Sequence, residues 1–211
     1  MREFGQCLSA AEQQVADAEK AGDTQLLADA LKELGNILRR PASSRDAAND
    51  AYSRAATLYR ELGLHLEEAW VKRHIGVNHE YADCLEEAER FYDESLSLFR
   101  EHAADDDPNY ANTVRYPAVI KERLGKNDEA TSLWEEAHDR YSRIGPAGLG
   151  EGVAEAAAWL TILALRRGDR NEAEKWFERA DEASGRSSDR DTHKFIDGVR
   201  KLLKEYKADQ K

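Results

Sequence analysis

Apolar and small residues recur along the chain at offsets of three and four, which keeps them on one face of an α-helix. The segments AYSRAATLYRELG, FYDESLSLFREH, LWEEAHDRYSRIG and WFERADEASG all contain an alanine, an aromatic residue four positions later and a small residue three positions after that. The four copies of this frame are Ala48-Tyr52-Ala55, Ala88-Tyr92-Ser95, Ala130-Trp134-Ala137 and Ala173-Phe177-Ala180. Their first members lie 40, 42 and 43 residues apart. The pattern therefore predicts a tandem helical repeat.

A second type of helix precedes each copy of this frame. The segments ADALKELGNIL, AWVKRHIGVNH, ANTVRYPAVIK and AEAAAWLTILA begin at Ala28, Ala69, Ala111 and Ala154. Gly125 and Gly168 each stand five residues before the alanine of the following helix, where a helix is expected to end. Pro117 falls inside the third segment, so it either kinks that helix or marks its first turn. The unit of repetition is a helical hairpin.

The small–aromatic–small frame, repeated in hairpins, resembles the tetratricopeptide repeat. The period of about 42 residues is similar to the long-period subtype of kinesin light chain and bacterial signalling proteins. The resemblance covers residues 23–184 as four hairpins. It implies an all-α protein, a right-handed α-α superhelix of about ten antiparallel helices. We expect a single domain over 1–211, with capping helices in 1–22 and 185–211, because the open ends of stacked repeats expose apolar surface.

Composition narrows the possible functions. The chain has 42 acidic and 31 basic residues and a net charge of −11, which disfavours general binding to nucleic acid or to anionic membranes. No apolar run is long enough to span a bilayer, and the N-terminus MREFGQCLSAAEQQ lacks a signal-peptide core. Cys7 and Cys84 form no metal-binding pattern. These features predict a cytoplasmic protein without a cofactor or metal.

The resemblance also implies where a partner binds, because tetratricopeptide arrays hold peptides in a concave groove lined by the first helices of the hairpins. Twenty positions of this sequence match groove positions, of which seven are basic and four acidic. Paired hydrogen bonds make arginine suited to carboxylates, so we expect a protein or peptide partner of acidic character. The expected groove residues are Lys32, Asn36, Arg39, Trp70, Arg73, His74, Tyr81, Asn112, Arg115 and Arg123.

A non-catalytic scaffold or regulator is therefore the leading interpretation, and two alternatives stay open. The chain could be a self-associating assembly protein, since the segment AAAWLTILAL is unusually apolar; we expect a monomer or weak homodimer. It could also be a metal-dependent enzyme centred on His74 and His79 in the segment AWVKRHIGVNHEYADC. Those histidines are five residues apart, about 140° around a helix, whereas helical zinc pairs favour a spacing of four. We therefore expect no enzyme activity. Lys72 and His79 fall at packing positions and must find partners there.

Overall fold

The computed structural model describes the backbone of residues 2–144 and 150–209 and the side chains of residues 4–144 and 150–206. This part of the chain folds into ten α-helices and one short 3-10 turn, without β-strands. The helices form two compact units, Met1–Ala103 and Ala104–Lys211, which are described separately below. The prediction of one domain over 1–211 stays a prediction.

The N-terminal unit contains five helices, each packed against the next in sequence. They are α1 (Arg2–Ala21), α2 (Thr24–Leu38), α3 (Arg45–Glu61), α4 (His65–Tyr81) and α5 (Leu85–His102). The 3-10 turn Ala42–Ser44 fills the connection between α2 and α3, which is longer than the other hairpin turns. Asp23 caps α2 by accepting a hydrogen bond from the backbone N–H of Leu26 at 2.9 Å.

The C-terminal unit contains the remaining five helices. They are α6 (Pro108–Arg123), α7 (Asn127–Arg143), α8 (Gly150–Arg166), α9 (Arg170–Ser184) and α10 (Arg190–Asp209). Helix α10 packs on α8 and α9, the last hairpin of this unit. Helix α6 begins at Pro108 behind the capping residue Asp107 and continues through Pro117. The alternative that this helix starts near Pro117 is therefore wrong.

The repeat frame forms the cores of both units. All members of the frame are buried except Phe177, which is partly buried. Four alanines near the starts of the first helices are fully buried: Ala28, Ala69, Ala111 and Ala154. Gly35 and Gly76 lie directly against the aromatic rings of the frame, because a Cβ atom at either position would stand 2.6 Å from a ring carbon of Tyr52 or Tyr92. Small residues therefore let the two helices of a hairpin approach closely.

The apolar segment AAAWLTILAL lies within α8 and supplies core residues. Ala156, Ala157, Ala158, Leu160, Leu163 and Ala164 are buried, and the intervening Trp159 stacks on Trp134 of α7 at 5.9 Å between ring centres. Packing within the C-terminal unit thus accounts for its composition. No helix in the described part of the chain has the length and apolarity needed to cross a membrane.

Candidate functional site

The first helices of the N-terminal unit, α2 and α4, carry six of the expected groove residues, and three of the six contact one tyrosine of α3. Lys32, Asn36 and Arg39 recur at offsets of four and three along α2 and its C-terminal cap, so they share one face. On α4, Trp70 and His74 are four residues apart and share one face, and Arg73 is adjacent to His74 in sequence. Tyr52 lies between the two helices. We call these six residues with Tyr52 the Tyr52 cluster.

Ring contacts join α4 to Tyr52. The imidazole of His74 stacks on the Tyr52 ring with 5.8 Å between centres and an interplanar angle of 26°. Trp70 lies 3.9 Å from the His74 ring centre and meets Tyr52 edge-on at 6.4 Å. The Tyr52 hydroxyl donates a hydrogen bond to Asn36 Oδ1 at 2.8 Å, and burial raises the pKa of this phenol, so it stays a donor. Stacking and this hydrogen bond fix the position of His74.

His74 is a neutral imidazole surrounded by positive charge. Burial and, after it, the guanidinium groups of Arg73 and Arg39 lower the pKa of His74 to about 3. Its Nδ1 atom is buried and has no hydrogen-bond partner among the described residues. A buried polar atom without a protein partner costs free energy and calls for an explanation in function or solvation.

Arg39 contributes a second buried atom of this kind. Its Nε atom is buried without a hydrogen bond, and the side chain makes no ion pair with any residue in the described part of the chain. Lys32 differs, because its ammonium group forms an ion pair with Asp29 at 3.6 Å. The same ammonium group lies 5.8 Å from the ring centre of Tyr59 and 6.0 Å from that of Trp70. Arg39 therefore differs from Lys32, because no carboxylate among the described residues forms an ion pair with it.

The remaining expected residue of this unit, Tyr81, lies apart from these contacts. It is the last residue of α4, it is 69% exposed, and the guanidinium carbon of Arg45 stands 5.1 Å from its ring centre. Sequence reasoning placed Tyr52 in the core and missed its part in this cluster. The hydroxyl group was the available signal, because a buried tyrosine hydroxyl needs a polar partner and α2 offers Asn36 on its facing side.

The polar packing residues of α4 find partners on neighbouring helices. Glu68 is 3% exposed and accepts two hydrogen bonds from Arg60, at 2.8 and 3.0 Å, and its Oε1 atom lies 3.5 Å from Lys72 Nζ. Lys72 also donates to Glu94 of α5, which makes a further ion pair with Arg90. His79 stacks on Phe91 of α5 at 5.4 Å. Lys72 and His79 therefore find the expected partners on α5, Glu94 for Lys72 and Phe91 for His79.

In the C-terminal unit, Asn112 and Arg115 of α6 line a cavity of about 380 Å³. Arg115 donates to Glu155 of α8 at 2.9 Å, and the Tyr141 hydroxyl donates to Asn112 Oδ1 at 3.0 Å. Burial disfavours the charged form of Arg115, but the Glu155 carboxylate outweighs this effect and raises the pKa of Arg115. The cavity wall also includes Glu151, Glu155, Asp189, Asp191 and Phe195, so it is rich in carboxylates. Arg123 is exposed at the last residue of α6 and is not part of this wall.

Ion pairs join several basic and acidic residues of the expected groove in both units. Three basic positions of the expected groove pair with acidic positions of the same set: Lys32 with Asp29, Arg115 with Glu155, and Arg166 with Glu122. Two of these pairs lie on the α6–α8 face, whereas Arg39 on the α2–α4 face has none. The sequence count of seven basic and four acidic positions could not distinguish these faces, because it assigns no pairs.

Metal chemistry has little support in the geometry of the histidines. His74 packs on Trp70 and His79 on Phe91, so the two imidazoles have different surroundings. Among the described residues, no three histidine, cysteine or acidic side chains are grouped as a metal ion would require. Cys7 and Cys84 are free and exposed.

Comparison with solved structures defines the class of fold. The apo form of RapI superposes with a TM-score of 0.81 at 14% identity, over 99% of this chain and 60% of RapI. A Podosopora anserina protein of the kinesin light chain type, with nearly identical TPR-like repeats, gives 0.66 at 12% identity, over 88% of this chain and 89% of that one. A Rap protein complexed with competence and sporulation factor gives 0.63 at 14%, over 97% and 60%.

The chain therefore has the fold of the tetratricopeptide-like helical repeat proteins, and the resemblance read from its sequence is confirmed. Its all-α solenoid fold class is confirmed by the same neighbours. No family model matches the sequence, and no curated protein matches it. The chain spans about 60% of the length of the two Rap proteins.

Proposed function

We propose that this protein is a non-catalytic binding module, which holds an acidic peptide segment of a protein partner on the α2–α4 face of its N-terminal unit. The observation that carries the proposal is the set of contacts that Asn36, Trp70 and His74 make with Tyr52. Lys32 lies 6.0 Å from the Trp70 ring, and the charges of Arg39 and Arg73 act on His74. Aromatic rings and cations together form the kind of surface that anchors a peptide, because arginine binds carboxylates and tryptophan offers a rigid apolar contact.

Two further considerations support a binding role. Tetratricopeptide-like neighbours include a Rap protein whose structure was determined with competence and sporulation factor, so a fold of this type accepts a binding partner. The Arg115–Glu155 cavity offers a second recessed surface to a protein partner, and Arg123 and Tyr81 would lie at the edges of the contact. A cytoplasmic location and a monomeric or weakly dimeric state belong to the same proposal.

The test is selection of binders from a random peptide library displayed on phage, followed by affinity measurement with synthetic peptides. The test variant carries Lys32→Glu and Arg39→Glu. The matched control carries Lys20→Glu and Arg54→Glu, which reverse two charges on exposed positions of the same unit, with side chains 77% and 56% exposed.

We expect peptides enriched in aspartate and glutamate that bind the wild-type protein and the control but not the test variant. The thermal unfolding temperatures of both variants must match that of the wild type, so that a loss of binding can be attributed to the changed side chains and not to unfolding. Selection of no peptide at all, or peptides that bind the test variant with wild-type affinity, would overturn the proposal.

A further inference from the structure

Arg39 and His74 belong to the Tyr52 cluster, and neither forms an ion pair with a carboxylate among the described residues. Both have a buried nitrogen without a hydrogen-bond partner among the described residues, Arg39 Nε and His74 Nδ1. Tyr52 relates their positions, because its ring stacks on His74 with 5.8 Å between centres and its hydroxyl donates to Asn36, which stands one turn before Arg39. The pair therefore offers an unused guanidinium beside an unused imidazole nitrogen.

A neutral imidazole beside a guanidinium matches one chemical group well. An arginine donates paired, charge-assisted hydrogen bonds to a carboxylate, and an imidazole N–H can donate a further bond to the same group. A cationic guest would meet Arg39 and Arg73, whose charges already disfavour protonation of His74. Asn36 is committed to Tyr52 and Glu33, and Lys32 to Asp29, so neither competes for this guest.

We infer that Arg39 and His74 bind a carboxylate group of the partner, with Trp70 as the apolar wall beside it. This inference rests on the proposed function and assigns its anionic contact to two residues. The carboxylate can come from an aspartate or glutamate side chain or from the end of a peptide chain, and the chemistry of the contact is the same for both.

Acetate is the direct probe of this site, and the readout is the nuclear magnetic resonance signals of the imidazole nitrogens in protein labelled with ¹⁵N-histidine. At neutral pH and constant ionic strength set with sodium chloride, acetate should shift the ring nitrogens of His74 in a saturable manner. Arg39→Gln should remove the response, whereas Arg40→Gln should retain it. Arg40 is the matched control, because it is the adjacent residue, carries the same charge and is exposed.

Capped peptides then distinguish a side-chain carboxylate from a carboxyl end of the peptide chain. They also separate the carboxylate site at Arg39 and His74 from the wider peptide-binding function. A capped peptide with one central glutamate should bind about tenfold more tightly than the same peptide with glutamine, which is the effect of one charged hydrogen-bonding contact. An uncharged peptide with a free carboxyl end tests the other source. In Arg39→Gln the preference for the carboxylate should vanish, and Arg40→Gln should keep it.

Two results overturn the inference: no acetate-dependent shift of His74 in the wild-type protein, or an equal shift in Arg39→Gln. If library-selected acidic peptides still bind in either case, the proposed function stands and the carboxylate contact lies elsewhere. If acetate binds at His74 but no peptide is selected, the carboxylate site stands and the peptide-binding function fails.

Discussion

Gly76 of α4 lies so close to the ring of Tyr92 of α5 that a Cβ atom there would stand 2.6 Å from two ring carbons. Gly35 has the same relationship to Tyr52 in the preceding hairpin. The Tyr92 hydroxyl donates to Glu80 at 2.7 Å, so the ring is held at both its face and its polar end. The close approach of α4 and α5 therefore depends on the absence of a side chain at Gly76.

Gly76→Ala should lower the free energy of unfolding, because the Tyr92 ring cannot move away from the added methyl group without disturbing its hydrogen bond to Glu80. Overpacking of a well-packed core costs about 1–3 kcal/mol, and the gain in helix propensity offsets only part of that cost. Urea unfolding followed by circular dichroism measures the change. Gly198→Ala is the control, since nothing lies within 4 Å of a Cβ atom there; it should be neutral or stabilising by up to about 1 kcal/mol.

Asp83 occupies a backbone conformation that favours glycine. Its φ angle is +59°, whereas Gly125 and Gly168 hold the same place in the later hairpins at +73° and +79°. A left-handed conformation costs a residue with a side chain roughly 1 kcal/mol. Asp83→Gly should therefore raise the thermal unfolding temperature, measured by calorimetry. Gly125→Asp should lower it, and an Asp83→Gly protein that melts below the wild type would contradict the idea.

The repeat frame could be predicted from the sequence because its signal is periodic and local. Alanine, aromatic and small positions recur four times, and each position meets the same kind of neighbour, so Ala88 and Ala130 are buried as Ala48 is. The continuation of α6 through Pro117 could not be predicted in this way. A proline forbids one hydrogen bond, but whether the helix survives depends on the packing around it.

The candidate site was only partly predictable for a similar reason. Placement of Lys32, Asn36 and His74 on the first helices of successive hairpins follows from the hairpin frame. Ion pairing does not, because Arg115 and Glu155 are 40 residues apart in sequence and meet only through the packing of successive hairpins. The count of basic and acidic groove positions therefore predicted one basic groove, whereas in the structure Arg115 forms an ion pair with Glu155 and Arg39 forms none among the described residues.

His74 should make the stability of the protein depend on pH. In the unfolded chain its imidazole takes up a proton near pH 6.5, but in the folded chain only near pH 3. Between these values the unfolded state binds more protons, so the contribution of His74 to stability is complete above pH 6.5 and is lost as the pH falls toward 3. The loss between pH 6.5 and 5 is about 2 kcal/mol at most.

His74→Phe keeps an aromatic ring between Trp70 and Tyr52 and removes the titrating group. The difference in unfolding free energy between pH 7 and pH 5 should therefore be smaller in this variant than in the wild type. His193→Gln, which removes an exposed imidazole, controls for the loss of a histidine. Burial also lowers the pKa of His79 and His138, so some pH dependence should persist in His74→Phe. An unchanged slope would contradict the prediction.

Glu68 should be the most costly carboxylate to neutralise among the ion pairs of the N-terminal unit. It is 3% exposed, and it holds Arg60 through two hydrogen bonds and Lys72 through a contact at 3.5 Å. Glu68→Gln keeps the shape of the side chain but removes its charge, which leaves Lys72, 12% exposed in its side chain, with Glu94 alone. Breaking a buried ionic contact of this kind costs several kcal/mol at the upper limit, and we expect about 2 kcal/mol because Glu94 remains.

Urea unfolding is the suitable measurement for this variant, since urea does not screen charge. Glu19→Gln provides the matched comparison, because Glu19 makes a 2.8 Å ion pair with Arg54 between helices of the same unit with both side chains about half exposed. Exposed pairs contribute between zero and about 1 kcal/mol, so Glu19→Gln should change stability little. Equal losses in the two variants would mean that burial of Glu68 adds nothing to the strength of its contacts. In that case the polar residues of α4 would stabilise the hairpin only through the packing of their aliphatic parts.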